Sequence, residues 1–143
     1  MFLGRYFHSL DYKSRTSVPK KFRDQLKTGA ILTTGLDGCL FLYSKLDWQE
    51  LSSRIKELPL TAVDARDLSR YLFSAATEVT FDSLGRITIP DYLVEYAKLE
   101  KEIVILGVLN RVEIWSKKKF TLLDKKLNEK GEEIAEKFSE EGI

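Results

Sequence analysis

An internal repeat is the feature that most constrains how this chain can fold. The stretch LDYKSRTSVP at residues 10–19 returns as FDSLGRITIP at residues 81–90, and GLDGCLFLYSK at 35–45 corresponds to GVLNRVEIWSK at 107–117. The matched pairs in the first two stretches lie 71 positions apart: Asp11 with Asp82, Arg15 with Arg86, and Pro19 with Pro90. Because polar, apolar and turn positions all stay in register, we interpret the chain as a tandem duplication.

Each copy predicts the same order of secondary structure. In the second copy, apolar and polar residues alternate on both sides of residues 82–85, which predicts a β-hairpin. Asp82 offers acceptors to the N–H groups of the turn, and Gly85 tolerates a positive φ. Pro90 suits the first turn of a short helix, and a second hairpin follows. The unit predicted for both copies is therefore a hairpin, a short helix and another hairpin.

Neither unit is expected to be stable alone, because about 45 residues bury too little apolar surface. We therefore predict an α+β fold in which the two units interleave as an intrachain pseudo-dimer. Apolar residues at helical spacing predict connecting helices and an amphipathic C-terminal helix. The predicted segments are repeat 1 at residues 5–47, a helical connector at 48–75, repeat 2 at 76–119 and the C-terminal helix at 120–143.

The predicted C-terminal helix has its charges separated along its length. Basic residues predominate around 117–126 and acidic residues around 132–141. Its apolar residues lie near one side, a pattern that fits a subunit contact and core packing equally well. Gly131 lies between the two charged blocks and disfavours one continuous helix.

Composition limits the kinds of site that the chain can hold. The 143 residues include one cysteine and one histidine, so we expect neither an intramolecular disulfide nor a Cys/His metal site. The sequence has no nucleophile motif or glycine-rich phosphate loop, so an enzyme with a cofactor or a small-molecule substrate is the weakest hypothesis. No apolar run reaches the ~18–20 residues of a membrane span, and the start does not match a secretory signal. We therefore expect a cytoplasmic protein.

The net charge of +1 hides an uneven distribution. Residues 1–23 carry one acidic side chain, Asp11, against six basic ones, which leaves a local charge of +5. The six basic residues are Arg5, Lys13, Arg15, Lys20, Lys21 and Arg23. This asymmetry indicates an anionic partner at the N-terminal unit, and a solvated basic face is the alternative.

The doubled pattern D-x-x-x-R-x-x-x-P, followed each time by a helix and a glycine-led hairpin, resembles the MraZ family. The opening MFLGRYFHSLDYKSRTSVPKKFR is similar to the start of that family almost throughout. MraZ belongs to the SpoVT-AbrB superfamily, so the resemblance implies swapped-hairpin β units that form a barrel. It also implies a nucleoid-associated transcriptional regulator of the division and cell-wall gene cluster. The resemblance further implies ring-shaped homo-oligomers, commonly octamers, on repeated boxes of double-stranded DNA upstream of that cluster.

The resemblance assigns DNA-facing roles to Arg15 and Arg86. The chain departs from the family in the first motif, where Ser14 stands at a position that is usually glycine, whereas the second copy keeps Gly85. If the turn requires a positive φ at this position, serine costs roughly 1 kcal/mol of strain. The aim of Arg15 then depends on how the turn accommodates Ser14.

Sequence-specific DNA binding is the leading functional hypothesis. A two-stranded β-ribbon fits the major groove, and Arg15 at its tip could contact O6 and N7 of a guanine. The phosphate contacts would come from Arg5, Lys13, Lys20, Lys21 and Arg23. Because lysines surround only the first motif, we expect copy one to dominate the DNA contact.

Two alternatives stay open. Arg15 and Arg86 could instead pair with Asp11 and Asp82 and hold the turns in place. The chain could also be a protein-interaction scaffold or an antitoxin-like partner without sequence-specific DNA readout. Antitoxins of this superfamily usually carry one such motif and a disordered tail, whereas this chain has two motifs and an apolar-patterned tail.

Overall fold

The computed structural model describes all 143 residues as eight β-strands, five α-helices and one 3-10 turn. The first half contains β1 (Phe2–Ser9), β2 (Arg15–Ser17), α1 (Lys20–Leu26), β3 (Ala30–Thr34), β4 (Leu40–Ser44), α2 (Lys45–Lys56) and α3 (Val63–Phe73). The second half contains β5 (Thr77–Val79), β6 (Arg86–Thr88), α4 (Asp91–Tyr96), β7 (Glu102–Leu109), β8 (Val112–Ser116), α5 (Lys117–Glu136) and the 3-10 turn Ser139–Glu141. No helix is both long and apolar enough to cross a membrane.

The order of the elements confirms the duplication, because strand, short helix, hairpin and longer helix recur in both halves. The two short helices each follow a proline, Pro19 in the first half and Pro90 in the second. The two longer helices begin after Ser44 and Ser116, whose hydroxyls each accept the N–H of the residue three positions on. The same local signals therefore start the same elements twice.

Strands from the two halves pair with each other. A six-stranded antiparallel sheet has the order β1-β7-β8-β4-β3-β5, while β2 and β6 form a separate two-stranded ribbon. The predicted hairpins β3–β4 and β7–β8 are confirmed, and they meet through β4 and β8. Strand β1 of the first half pairs with β7, and β5 of the second half pairs with β3. The larger sheet stays open, with β1 and β5 at its edges, so the predicted barrel is not observed.

The first hairpin predicted in each copy is wrong, both around residues 82–85 and around the matching turn of the first copy, where β1 and β2 pair with β7 and β6 rather than with each other. The turn itself forms, since the N–H of Asp82 donates to the carbonyl of Arg86 at 2.9 Å. The strands on either side, β5 and β6, pair with β3 and β2 rather than with each other. Period-two patterning determines which face of a strand is buried, but it does not choose the neighbouring strand. Here the other half of the chain supplies that neighbour.

The hydrophobic core draws on both halves. One face of the large sheet packs against α1, α4 and the ribbon through fully buried side chains that include Phe22, Leu42, Ile87, Leu93 and Ile114. The opposite face lies under α2 and α5. It buries Cys39, Phe41, Tyr43, Val104, Trp115 and Phe120. Because each fully buried Leu, Ile or Phe contributes about 1.5–3 kcal/mol, separating the halves would remove a large part of the stabilisation of each.

Candidate nucleic-acid interface

The first Asp–Arg turn is held by the carboxylate of Asp11. Its Oδ1 accepts the N–H groups of Lys13 at 2.9 Å and Arg15 at 2.8 Å, and its Oδ2 accepts Nε of Arg15 at 2.7 Å. The N–H of Asp11 donates to the carbonyl of Arg15 at 2.9 Å, which closes the turn. Aspartate suits this position because its short side chain reaches the backbone of the same turn. The guanidinium of Arg15 is therefore fixed at one edge by its own motif.

The second turn repeats this arrangement. Oδ1 of Asp82 accepts the N–H groups of Leu84 and Arg86, both at 2.9 Å, and Oδ2 accepts Nε of Arg86 at 2.8 Å. The structure therefore contains the ion pair considered as an alternative above: each arginine pairs with the aspartate of its own motif. In both turns Nε makes the short bond to the aspartate, so the pair fixes the direction of the side chain.

The two turns lie at opposite ends of the β2–β6 ribbon. In its register, Arg15 faces Thr88, Thr16 faces Ile87, and Ser17 faces Arg86. Thr16 and Ile87 are buried, so both arginines lie on the opposite face of the ribbon. Each turn is also bonded to the other half: the N–H of Ile89 donates to the Ser14 carbonyl at 2.8 Å, and the N–H of Val18 donates to the Gly85 carbonyl at 3.2 Å. We call this outer side, with its two turns, the ribbon face.

Electrostatics link the two turns across the ribbon face. Nη1 of Arg86 lies 3.9 Å from Oδ2 of Asp11, in addition to its own partner Asp82. Partial desolvation opposes ionisation of Asp11, but hydrogen bonds from Arg15 and Lys13 outweigh it and lower the pKa of Asp11. The hydrogen bond from the backbone N–H of Arg86 lowers the pKa of Asp82 in the same way, although slight desolvation opposes it. Both carboxylates are therefore ionised at neutral pH.

The residue before each arginine has a positive φ, +57° at Ser14 and +75° at Gly85. The turn thus requires at Ser14 the conformation that favours glycine, and serine adopts it with strain. Gly85 is buried, because the guanidinium of Arg23 lies over it and donates to the Val18 carbonyl at 2.8 Å. The position equivalent to Arg23 in the second half is Val94, so only one of the two turns has an arginine over it.

Only some of the other residues predicted to contact phosphates lie near the first turn. Lys13 is exposed at the first turn, with its Nζ 5.7 Å from the ring of Tyr12, and Lys20 is exposed at the start of α1. Arg5 lies elsewhere: it pairs with Asp124 of α5 at 2.9 Å and lies over the ring of Phe120. The structure thus ties Arg5 to α5 rather than to either turn.

Two features of the ribbon face escaped the sequence analysis. Tyr12 is 86% exposed beside Lys13 and Arg15, and an aromatic residue at an exposed turn was a signal that could have identified it. Arg23 was predicted at a phosphate, but no sequence pattern indicated that it covers the turn of the other copy.

Comparisons with known proteins agree with the repeat. A family model described as "MraZ protein, putative antitoxin-like" matches residues 1–71 and again residues 72–139. Proteins named "Transcriptional regulator MraZ" are similar over their whole length and the whole of this chain. They include those of Clostridium acetobutylicum at 47% identity, Alkaliphilus metalliredigens at 48% and Alkaliphilus oremlandii at 49%. The two matches of one model to successive halves of the chain parallel the two turns of the ribbon face. The chain belongs to the MraZ family.

Proposed function

We propose that this protein is a DNA-binding transcriptional regulator that reads specific sequences with the ribbon face. The observation that carries the proposal is the state of Arg15: its Nε is held by Asp11, while its two Nη groups make no hydrogen bond within the chain. Those two groups are the ones that form a bidentate contact with O6 and N7 of guanine. The aspartate pairing therefore orients the arginine for readout, and it does not compete with that role.

The first turn is the stronger candidate for base contact. Lys13 and Tyr12 surround Arg15, whereas Nη1 of Arg86 is shared with Asp11 at 3.9 Å. Lys13, Lys20 and Lys21 would contact phosphates, which orients the ribbon without reading sequence. Arg86 would make a second, weaker contact from the other end of the ribbon.

The cross-pairing of strands supports the finer architecture implied by the family. We propose an intrachain pseudo-dimer of two swapped-hairpin units, at residues 5–47 and 76–119, joined by a helical connector at 48–75. The segment 120–143 would be the C-terminal helical extension. In this view β2 and β6 exist as a pair because each unit supplies one strand of the DNA-binding ribbon.

The proposed function also requires several copies of the chain to assemble on DNA. One ribbon three residue pairs long offers few contacts, and such a patch binds weakly at cellular salt. Several copies linked in a ring, for which the family suggests an octamer, would gain about 100-fold or more in avidity on repeated boxes. We propose that the boxes lie upstream of the division and cell-wall gene cluster, in double-stranded DNA, and that the protein acts in the cytoplasm at the nucleoid.

A fluorescence-anisotropy titration tests the proposal, with DNA from upstream of the protein's own gene and a scrambled duplex, each at two salt concentrations. We expect tight, salt-dependent binding to the upstream DNA and weaker, salt-dependent binding to the scrambled duplex. Arg15→Lys is the informative variant, since it keeps the charge but loses the two-pronged contact. It should reduce the preference for the upstream DNA, whereas Lys13→Ala should weaken binding to both duplexes equally. Equal weak binding of the wild type to both duplexes would contradict specific readout and favour the scaffold alternative.

A further inference from the structure

The second half of α5 has an apolar side that nothing in the chain covers. The first turns of α5 pack against the six-stranded sheet, where Phe120 is buried. From residue 125 to 143 every residue is exposed except Ile134, which is half-buried. The apolar side nevertheless continues, with Leu127 45% exposed and Phe138 50% exposed. We call residues 125–143, the end of α5 and the short segment after it, the tip; its helical part has the sequence pattern of a packed helix, but its own chain does not pack on it.

Gly131 indicates a close approach at the same side of the tip. The helix is continuous through this glycine, although glycine is unfavourable in a helix interior. A Cβ at this position would meet nothing within 4 Å, so the fold of the single chain does not require a glycine. Gly131 is four residues from Leu127 and three from Ile134, which puts it in the middle of the exposed apolar stripe. A residue without a side chain there lets another surface approach the helix backbone.

The tip is also acidic. Residues 125–143 contain four lysines and six glutamates, a net side-chain charge of −2, and the part from residue 129 onward, with two of those lysines and all six glutamates, has a net charge of −4. The glutamates are Glu129, Glu132, Glu133, Glu136, Glu140 and Glu141. A partner for the tip therefore needs an apolar floor with basic residues around it.

A groove with this character lies between α2 and α3. It has a volume of about 500 Å³, and its apolar residues are Ile55, Leu58, Leu60 and Ala65. Its charged lining residues are all basic: Lys56, Arg66 and Arg70. Leu60 is 81% exposed, so the groove is open. Of the three basic residues, only Arg70 has an acidic partner, Asp67 at 2.8 Å, which leaves the groove with unpaired positive charge.

We propose that the tip of α5 in one copy docks in the α2–α3 groove of a second copy of this chain. The inference rests on the proposed homo-oligomer and specifies its contact. Helical residues 125–136 extend about 18 Å, which is long enough to lie along a two-helix groove. Because the tip and the groove are different surfaces, the contact is head-to-tail: each copy gives one tip and receives another. Such a contact repeats until the rotation closes a ring.

Charge reversal in full-length protein tests the contact, with mass measured by light scattering during size-exclusion chromatography. The tip variant carries Glu132→Lys, Glu133→Lys and Glu136→Lys, and the groove variant carries Lys56→Glu, Arg66→Glu and Arg70→Glu. We expect each variant alone to shift from the oligomer toward the 16.5 kDa monomer with an unchanged circular-dichroism spectrum. A mixture of the two should regain the oligomer, because the reversed tip then meets the reversed groove and the native tip meets the native groove. The matched control for the tip variant, Glu50→Lys with Glu95→Lys and Glu102→Lys, changes the net charge by the same amount outside both surfaces and should remain oligomeric.

The outcomes separate this contact from the wider proposal. A wild-type protein that is monomeric at micromolar concentration would overturn the homo-oligomer and, with it, the contact. An oligomeric wild type whose tip and groove variants both stay assembled would overturn the tip–groove contact and leave the oligomer standing. Loss of assembly in both variants without rescue on mixing would also overturn the pairing, because it would show that the two surfaces bind something other than each other.

Discussion

The turn at Asp11–Arg15 and the turn at Asp82–Arg86 have the same three carboxylate hydrogen bonds, matched within 0.1 Å, but different surroundings. The first turn has a half-buried serine at its positive-φ position, with exposed Lys13 beside it. The second has a glycine buried under the guanidinium of Arg23, which comes from the other half. The motif maintains the turn, while the flanking residues determine how much charge and free surface each turn offers.

The largest expected difference between the turns is in DNA affinity. Arg15→Ala should weaken binding to the upstream DNA by about 10–100-fold, since a good bidentate base contact discriminates by about 1–3 kcal/mol. Arg86→Ala should have a smaller effect, because Nη1 of Arg86 is shared with Asp11. Anisotropy titrations of both variants, with oligomer size and circular dichroism as controls, measure the difference. Equal losses would show that both turns read bases.

Stability should respond most strongly at the second turn. Gly85→Ser introduces a side chain at φ +75° and sets its Cβ 2.4 Å from Nη1 of Arg23, so we expect a loss of about 1–3 kcal/mol in the free energy of unfolding. Urea denaturation measures it. In an Arg23→Ala background the same substitution should cost less, because only the backbone strain remains. An equal cost in both backgrounds would mean that the guanidinium of Arg23 moves aside freely.

The reciprocal change at the first turn should have the opposite sign. Ser14→Gly relieves strain at φ +57° but increases the entropy of the unfolded chain, so we expect a net gain of about 0.5 kcal/mol. The midpoint of urea unfolding should rise with an unchanged slope. A loss of stability would indicate that the serine side chain makes a favourable contact which offsets its backbone strain.

Acid should loosen both turns. The pKa values of Asp11 and Asp82 are lowered in the folded chain from an ordinary 3.8, so the unfolded chain binds these protons more readily. Their contribution to stability is present above pH 3.8 and is lost as the pH falls through the lowered values. Carboxyl titrations by NMR should have midpoints below 3.8, and the pH dependence should decrease in the Asp11→Asn, Asp82→Asn variant. Midpoints at 3.8 would show that the turn hydrogen bonds do not favour the ionised form.

Local chemistry made much of the fold predictable. The doubled D-x-x-x-R-x-x-x-P pattern predicted two turns, two helices that follow a proline and two further hairpins, all of which form. These features depend on residues close in sequence: an aspartate that bonds its own turn and a proline that opens a helix. The positive φ at Ser14 was likewise predictable from its match with Gly85.

Contacts between distant residues were decided only by the tertiary structure. The alternating pattern around residues 82–85 predicted strands but assigned them to each other, whereas each pairs with a strand of the other half. Arg5 belongs by sequence to a basic N-terminal segment, yet it pairs with Asp124, 119 positions away. Arg23 likewise meets a residue far away in the sequence, because it covers Gly85 in the turn of the other copy. Periodicity specifies which face of a strand or helix is buried. The element that this face packs against depends on how two imperfect copies of the repeat pack against each other.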